Sequence, residues 1–174
     1  MFETLLKKIE NLNTFSSISE FLDNNYARLG RGLDAIVWNL NSEYVIKIAH
    51  VRNSFDFIDY CLNNQNDPHI PSIYHYELKY NDDTGEMFYI MILEHLNHSK
   101  NCSNVVSILN VYTGNGSKAE QHIVSTFIRQ NPRNEGIFES FSKVVSNVRN
   151  NLDLHGDNIM VRNNGVFVFT DIFV

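Results

Sequence analysis

The spacing of hydrophobic and polar residues changes along the chain, and it predicts two helices followed by a run of strands. Near the N-terminus apolar side chains recur at helical intervals, at Phe2, Leu5, Leu6, Ile9 and Leu12. We therefore predict a first helix over this segment. A second, short helix is predicted over Ser17–Leu22, with a serine as its N-cap.

From Tyr26 onward the pattern shortens to strand-like runs separated by turn residues. Five strands are predicted, at Tyr26–Gly30, Ala35–Leu40, Tyr44–Ala49, Ser72–Tyr80 and Glu86–Leu93. A helix is predicted between the third and the fourth strand, at Ser54–Leu62. The short connections, such as the turn Asn81–Gly85 between the last two strands, predict an antiparallel sheet.

Beyond residue 96 the chain becomes polar and rich in Asn and Ser, with helical patterns at Val105–Val111 and Ser117–Gln130. No candidate chemistry is recognisable in that part. A stronger amphipathic pattern over Ile137–Val148 predicts a core helix. Two short apolar runs, Ile159–Val161 and Val166–Thr170, flank an Asn-Gly turn and predict a hairpin.

Composition narrows the class of protein. A chain of 174 residues with 43% hydrophobic content is long enough for one well-packed domain. The net charge of −6, with Lys and Arg scattered, argues against a nucleic-acid partner. Because no stretch approaches the roughly 18 apolar residues of a membrane span, we expect a cytoplasmic protein without membrane association. The two cysteines lack metal-ligand spacing and are expected to be reduced.

One polar stretch carries candidate chemistry, because it combines two carboxylates with a carboxamide. Asp153 stands five residues before Asn158, and the predicted hairpin then leads to Asp171. In phosphoryl transfer of the kinase type, the first Asp accepts the proton of the substrate hydroxyl. The Asn and the second Asp hold Mg²⁺. The spacing of the three residues fits this pattern.

A second motif lies near the N-terminus, where Leu29–Val37 reads as G-x-G-x-x-A-x-V and Val45–Ile48 as V-A-I-K. Side chains at Gly30 or Gly32 would obstruct the approach of the backbone to a phosphate, although an ordinary hairpin turn would also explain two glycines. Lys47 lies within an apolar strand and needs an anionic partner, for which a nucleotide phosphate is the simplest candidate.

Together the two motifs resemble those of eukaryotic-type protein kinases. The motif Asp-Leu-His-x-x-Asn-Ile-Met resembles in particular that of the early protein kinases of autographiviruses, which are short-tailed phages. The shorter motif Asp-x-His-x-x-Asn also occurs in aminoglycoside phosphotransferases. The resemblance covers about residues 26–96 and 136–173, in the same order. It implies an α+β, minimal protein-kinase-like fold in a single domain, 1–174. Its parts would be N-terminal helices at 1–25, a nucleotide-binding lobe and hinge at 26–96, and a reduced helical lobe at 97–174.

The resemblance implies ATP and Mg²⁺ as cofactors and assigns a role to each matching residue. Asp153 would be the base, acting with Lys47 and Asn158 as the catalytic set, and Asn158 and Asp171 would bind the metal. The residues expected around the nucleotide are Gly30, Gly32, Val37, Lys47, Glu94 and Leu96. Leu93 would be the gatekeeper, and the backbone of Glu94–Leu96 would hold adenine.

The sequence departs from the kinase pattern in three places. The predicted helix that should supply an acidic partner for Lys47 contains only Asp56 and Asp59. Asp59 is the favoured partner, and the alternative is that both carboxylates are solvated. The His-Arg that precedes the catalytic Asp is replaced by Asn151-Leu152, which predicts no regulation through a phosphorylated activation segment. The metal-site triplet lacks its Gly, and the sequence given ends one residue later. We therefore expect either a naturally minimal kinase or one that has lost catalysis.

The expected function is ATP-dependent phosphorylation of Ser or Thr in proteins, which would be host proteins in the host cytoplasm if the phage resemblance holds. A pseudokinase that binds a partner protein and a small-molecule phosphotransferase are the alternatives. Asp153 rather than Asp157 is expected to be the base, because five steps from Asp157 lead to Arg162, which cannot bind a cation. His155 could contact phosphate or substrate, or could be structural. The oligomeric state is left open.

Overall fold

The computed structural model describes residues 2–32, 34–51, 55–81, 84–112, 116–148 and 152–170. The chain forms two compact units. The first comprises Met1–Val51 and Ser72–His95, and the second comprises Arg52–Pro71 and Leu96–Val174. Residues 52–71, which are expected in the nucleotide-binding lobe, lie in the second unit. Among the described residues, every helix is too short or too polar to cross a lipid bilayer.

The first unit opens with helices α1 (Glu3–Ile9) and α2 (Phe15–Asn25). Helix α2 begins earlier than predicted, because its N-cap is Thr14 and not a serine. The Thr14 hydroxyl accepts from the backbone N–H of Ser17 at 3.0 Å, and the Ser17 hydroxyl accepts from the N–H of Thr14 at 3.3 Å. This reciprocal capping box satisfies two backbone donors at the helix start. Ser17 therefore lies inside the first turn.

Five antiparallel strands form the sheet of the first unit, in the order β1-β2-β3-β5-β4. Their bounds are β1 Ala27–Arg31, β2 Ala35–Asn39, β3 Tyr44–His50, β4 Ile73–Asn81 and β5 Glu86–Glu94. The predicted α+β class and five-stranded antiparallel sheet are confirmed. Gly85 has a φ of 70° in the connection between β4 and β5, a conformation that favours glycine.

The two helices pack on one face of this sheet, where alternation places the largest apolar side chains of the central strands. The core contains Leu5, Ile9, Ile18 and Leu22 from the helices and Ile36, Trp38, Ile46, Ile48, Phe88, Ile90 and Ile92 from the sheet. Lys79 of β4 lies at the rim of this core. Its ammonium donates to the carbonyl oxygens of Ile9, Glu10 and Leu12 and so satisfies the C-terminal end of α1.

The described part of the second unit contains four α-helices and one hairpin. The helices are α3 Phe55–Asn63, α4 Cys102–Val111, α5 Lys118–Gln130 and α6 Ile137–Asn147, and the hairpin pairs β6 Ile159–Val161 with β7 Phe167–Phe169. Helix α3 packs against α6, which explains why this segment belongs to the second unit. Ser54, its predicted first residue, lies outside the described residues.

Aromatic side chains join α5, α6 and the hairpin into the core of the second unit. Phe127 lies 5.6 Å from Phe138 and 6.4 Å from Phe167, and Phe141 lies 5.8 Å from Phe169, between ring centroids. The predicted hairpin and its Asn-Gly turn are confirmed, with Gly165 at a φ of 86°. This packing fixes β6, which directly follows the polar stretch with the candidate catalytic residues.

Candidate functional site

Lys47 lies in β3, the central strand of the sheet. The antiparallel register pairs it with Val37 of β2 and with Met91 of β5, so these three residues project from the same face. Its neighbours Ile46 and Ile48 project from the opposite face, into the core under α1 and α2. Lys47 is only 8% exposed. The strand register thus places two of the predicted nucleotide-binding residues, Val37 and Lys47, side by side.

The backbone conformation does not require glycine at either of the two motif positions, Gly30 and Gly32. Gly30 pairs with Val37 across β1 and β2, and a Cβ added at Gly30 would meet no atom within 4 Å. At Gly32 the nearest atom would be the carbonyl oxygen of Ala35, at 3.8 Å. Neither glycine has a positive φ. The geometry of the turn therefore does not explain why these two residues are glycines.

The predicted hinge, Glu94–Leu96, spans the point at which the chain passes from the first unit to the second. The backbone N–H of Glu94 donates to the Ser72 carbonyl at 3.1 Å, and the N–H of His95 donates to the Glu43 carbonyl at 2.7 Å. The Glu94 carboxylate accepts from the N–H of Ser72. The N–H groups of Glu94 and His95, two of the backbone groups expected to hold adenine, thus already have partners within the first unit.

Asp153 and Asn158 are brought together in the loop that precedes β6. The Asn158 Nδ2 donates to the Asp153 carbonyl oxygen at 2.9 Å and to its carboxylate Oδ2 at 3.3 Å. The N–H of Thr170 donates to the Asn158 carbonyl at 2.9 Å, which ties the loop to the end of β7. Since the carboxamide directs its nitrogen at Asp153, its Oδ1 is the atom of that side chain able to bind a cation.

His155 joins this pair. Its Nε2 lies 3.3 Å from the Asp153 Oδ2 and 2.9 Å from the Asn158 Nδ2. If Nε2 carries a proton, it can donate to the Asp153 carboxylate. If it carries none, it can accept from the Asn158 carboxamide, so it cannot make both hydrogen bonds at once. Asp157, by contrast, is mainly solvated, with 84% of its side chain exposed against 39% for Asp153.

Helix α4 supports the loop from a part of the chain in which the sequence indicated no chemistry. Gly156 opens a 3₁₀ turn, Gly156–Asn158, that packs against the first residues of α4. A Cβ at Gly156 would lie 2.9 Å from the Ser103 hydroxyl oxygen and 3.7 Å from the Ser103 Cα. An alanine here would displace the Ser103 hydroxyl, so the glycine permits the close approach of loop and helix.

The β6–β7 hairpin, which follows the loop with Asp153, is held in place by polar contacts with residues distant in sequence. Arg162 donates to the carbonyl oxygens of Pro68 and Ile70. The buried Asn134 donates to the Gly165 carbonyl at 3.0 Å and accepts from the N–H of Phe167 at 2.7 Å. These partners are distant in sequence.

His69 forms a further contact of this kind. Its Nδ1 lies 2.8 Å from the Phe167 carbonyl oxygen, and the residue is 1% exposed. Burial lowers the pKa of His69 below its usual value of 6.5, because the charged imidazolium would lose its hydration, and the bond to Phe167 only partly offsets this. The imidazole is therefore neutral near pH 7, with Nδ1–H as the donor.

Other predicted residues are not joined to this cluster. Asp171 and Asn151 lie outside the described residues. Asp56 and Asp59 are exposed on α3 and line a surface cavity of the second unit with Lys143. Among the described residues no group of three His, Cys, Asp or Glu side chains is placed to hold a metal. The expected ligand pair is of another kind, because it combines a carboxamide with Asp171.

Sequence reasoning missed the structural roles of Ser103 and Asn134 and left that of His155 open. The motif Asp-x-His-x-x-Asn could have indicated a role for His155. His155 stands three residues and Asp153 five residues before the same Asn158. Nothing in the Asn-rich segment distinguished Asn134 from its neighbours.

No protein-family model matches the sequence, and a search of curated proteins finds no match to it. The resemblance to protein kinases thus rests on the residues quoted above.

Proposed function

We propose that the protein is an ATP- and Mg²⁺-dependent protein kinase that phosphorylates Ser or Thr hydroxyls. The observation that carries the proposal is the contact between Asp153 and Asn158, because it gives the kinase-type Asp and Asn complementary orientations in one loop. Burial of Lys47 in the third strand supports it, since protein kinases carry their phosphate-binding Lys on that strand.

Asp153 is proposed as the base. Its carboxylate remains partly exposed, with 39% of the side chain accessible, so that a substrate hydroxyl can reach it. The hydrogen bond from Asn158 fixes the orientation of the carboxylate. A carboxylate held in this way accepts the hydroxyl proton as the oxygen attacks phosphorus, and positioning of this kind supplies much of the catalysis in phosphoryl transfer.

Asn158 and Asp171 are proposed to hold the metal. Carboxamide and carboxylate oxygens suit a hard cation such as Mg²⁺, and the Asn158 carboxamide already engages its nitrogen with Asp153. When bound, Mg²⁺ and ATP would supply a divalent charge and the transferable phosphoryl group. Lys47 would hold phosphate oxygens, and Gly30 and Gly32 would admit them close to the backbone. The absence of any internal need for either glycine supports this role.

One observation favours a small-molecule phosphotransferase as the second candidate. His155 contacts both Asp153 and Asn158. The three residues of the motif Asp-x-His-x-x-Asn, which also occurs in aminoglycoside phosphotransferases, are therefore in contact with one another. In that case the acceptor would be a hydroxyl of a small polar molecule, and the proposed roles of Asp153, Asn158 and Lys47 would be unchanged.

The test is incubation of the purified protein with γ-labelled ATP and either a bacterial lysate or an aminoglycoside, alongside the Asp153→Asn variant. Label on proteins that disappears with the variant supports the protein kinase. Label on an aminoglycoside only would favour the second candidate. If neither acceptor is labelled and calorimetry detects no Mg²⁺-dependent ATP binding, the enzyme proposal fails and a partner-binding role replaces it.

A further inference from the structure

A carboxamide oxygen of strand β2 is buried without a hydrogen-bond partner. In the described part of the chain two buried side-chain atoms lack such a partner, Asn39 Oδ1 and His75 Nε2. His75 Nε2 still lies 3.6 Å from a carboxylate oxygen of Glu77. The register neighbours of Asn39 on both sides, Ala27 and Val45, are apolar and cannot donate to its oxygen. The fold therefore leaves the desolvation cost of this oxygen without compensation.

Asn39 projects from the face of the sheet that carries Lys47. Alternation along β2 places Trp38 in the core with the two N-terminal helices and Asn39 on the opposite face. The register sets Asn39 beside Val45, and Val45 beside Leu93. Since Leu93 is the expected gatekeeper of the nucleotide site, the unpaired oxygen lies in the cross-strand row where the adenine ring is expected.

The predicted hinge is bonded to its neighbours in the first unit at this end of the sheet. The N–H of His95 donates to the carbonyl of Glu43, which stands four residues after Asn39, and the N–H of Glu94 donates to the carbonyl of Ser72. Two of the backbone donors expected to hold adenine are thus engaged. Recognition of the base therefore calls for a further polar group, and the Asn39 carboxamide is a candidate on independent grounds.

We propose that the Asn39 side chain recognises the adenine base of the nucleotide. This role rests on the proposed function and adds a determinant of base specificity to the same site, on a strand and not on the hinge backbone. Asn39 is partly exposed, and the terminal torsion of an Asn side chain is broad, so the carboxamide can turn towards a ligand.

A carboxamide suits adenine because it combines one acceptor with two N–H donors. Its oxygen accepts from the N6 amine, and its nitrogen donates to N7. A base with a carbonyl at position 6, such as guanine or hypoxanthine, would direct a second acceptor at the Asn39 oxygen. If the carboxamide turned over, its oxygen would face the N7 acceptor instead. The side chain therefore favours adenine over both other bases.

The test measures binding and requires no phosphoryl transfer. The full chain is titrated by calorimetry with ATP and with inosine triphosphate, each with Mg²⁺, because inosine carries a carbonyl in place of the amine. We expect a preference for ATP of about tenfold, within the range by which a bidentate contact discriminates between bases. In Asn39→Leu the affinity for ATP should fall by about tenfold, and the preference should nearly disappear.

Thermal stability separates recognition from a structural role. Leu is similar in size to Asn and removes the unpaired oxygen, so the nucleotide-free Asn39→Leu protein should be at least as stable as the native one. Asn25→Leu, which removes an exposed carboxamide from α2, is the matched control and should keep the native preference for ATP. A marked loss of stability in Asn39→Leu would overturn the proposal, because the carboxamide would then have a partner within the fold.

A further measurement needs no variant. 7-Deaza-ATP lacks the N7 acceptor and should bind the native chain about threefold to tenfold more weakly than ATP, the loss expected for one hydrogen bond. Equal binding of these two nucleotides, or an unchanged preference for ATP over inosine triphosphate in Asn39→Leu, would overturn the role of Asn39 and leave the kinase proposal standing. If the native chain binds none of the triphosphates, the proposed function fails and the role of Asn39 fails with it.

Discussion

Lys47 and Asp153 have comparable parts in the proposed reaction, but the molecule holds them by different means. Lys47 is fixed by a strand whose partners on both sides, Val37 and Met91, are apolar. Asp153 lies in a loop and is oriented by the Asn158 carboxamide, whose backbone is bonded in turn to Thr170. The first arrangement depends on regular backbone pairing and the second on individual side chains.

The two parts of the candidate site are therefore sensitive to different substitutions. A central strand keeps its position when one side chain changes, because its hydrogen bonds belong to the backbone. A loop held by side-chain contacts moves when one remote contact is lost. Substitutions far from Asp153 should therefore alter activity by moving the loop, whereas single substitutions in the neighbouring strands should leave the position of Lys47 unchanged.

The largest effect on stability is expected for Asn134→Ala. It would leave the buried N–H of Phe167 and the carbonyl of Gly165 without their partner, at a cost of about 2–4 kcal/mol in the free energy of unfolding. Asn131→Ala is the matched control, because Asn131 lies nearer the surface and its side chain donates to a helix carbonyl. Urea denaturation measures both, and a similar loss in the two variants would contradict the role given to Asn134.

Gly156→Ala should come next, with a loss of about 1–3 kcal/mol typical of overpacking, together with reduced phosphoryl transfer. The added methyl would meet the Ser103 hydroxyl and push the loop from α4. The double variant Gly156→Ala with Ser103→Ala removes that oxygen and should recover most of the activity. If the double variant is no better than the single one, contact with α4 is not what positions the loop.

Acidification should weaken the second unit by a smaller amount, through His69. The pKa of His69 is lowered in the folded chain, so below about pH 6.5 the unfolded chain binds a proton that the folded chain excludes, and stability falls. Above that pH the contribution is complete. The loss is at most about 1.4 kcal/mol per pH unit for one group.

A comparison of histidine variants isolates this effect. His69→Gln should be less stable than the native protein at pH 7 but should show a flatter profile between pH 7 and 5. His122→Asn, which removes an exposed imidazole, should keep the native profile. A native-like slope in His69→Gln would assign the pH dependence to another group.

The smallest effect on stability is expected for Lys47→Met, at most about 1 kcal/mol, since Met fills a similar volume in a buried strand. Phosphoryl transfer should nevertheless be largely lost, because the ammonium that holds phosphate is gone. Lys79→Met offers the opposite control. That ammonium binds three carbonyl oxygens at the end of α1, so the variant should lose stability and keep transfer.

The difference between the two regions also explains how far the sequence could predict the molecule. All five strands, the β4–β5 turn and the helix α6 could be predicted, because alternation and helical spacing reflect local burial. The start of α2 was wrong, since Thr14 and Ser17 are both good caps and only the structure shows which one begins the helix. The position of α3 in the second unit depends on packing against α6, which no local pattern records.

Within the candidate site the same limit applies. Asp153 and Asn158 could be predicted as a pair from their spacing, and their contact is now visible. The supports of that pair, Ser103 and Asn134, lie in a segment of uniform polar composition. Their roles arise from contacts across 31 or more residues of chain, as for Asn134 with Gly165, and such contacts leave no periodic signal.

We propose that Asp153, and not its neighbour Asp157, is the base, and steady-state kinetics of Asp153→Asn and Asp157→Asn distinguish the two. Removal of a positioned acid–base group costs about 10²–10⁴ in rate. Asp153→Asn should fall in that range or below it with nucleotide affinity nearly unchanged. Asp157→Asn should lose far less, because 84% of the Asp157 side chain is exposed. Kinetics in the reverse order would contradict the register of the whole site, including the role of Asn158.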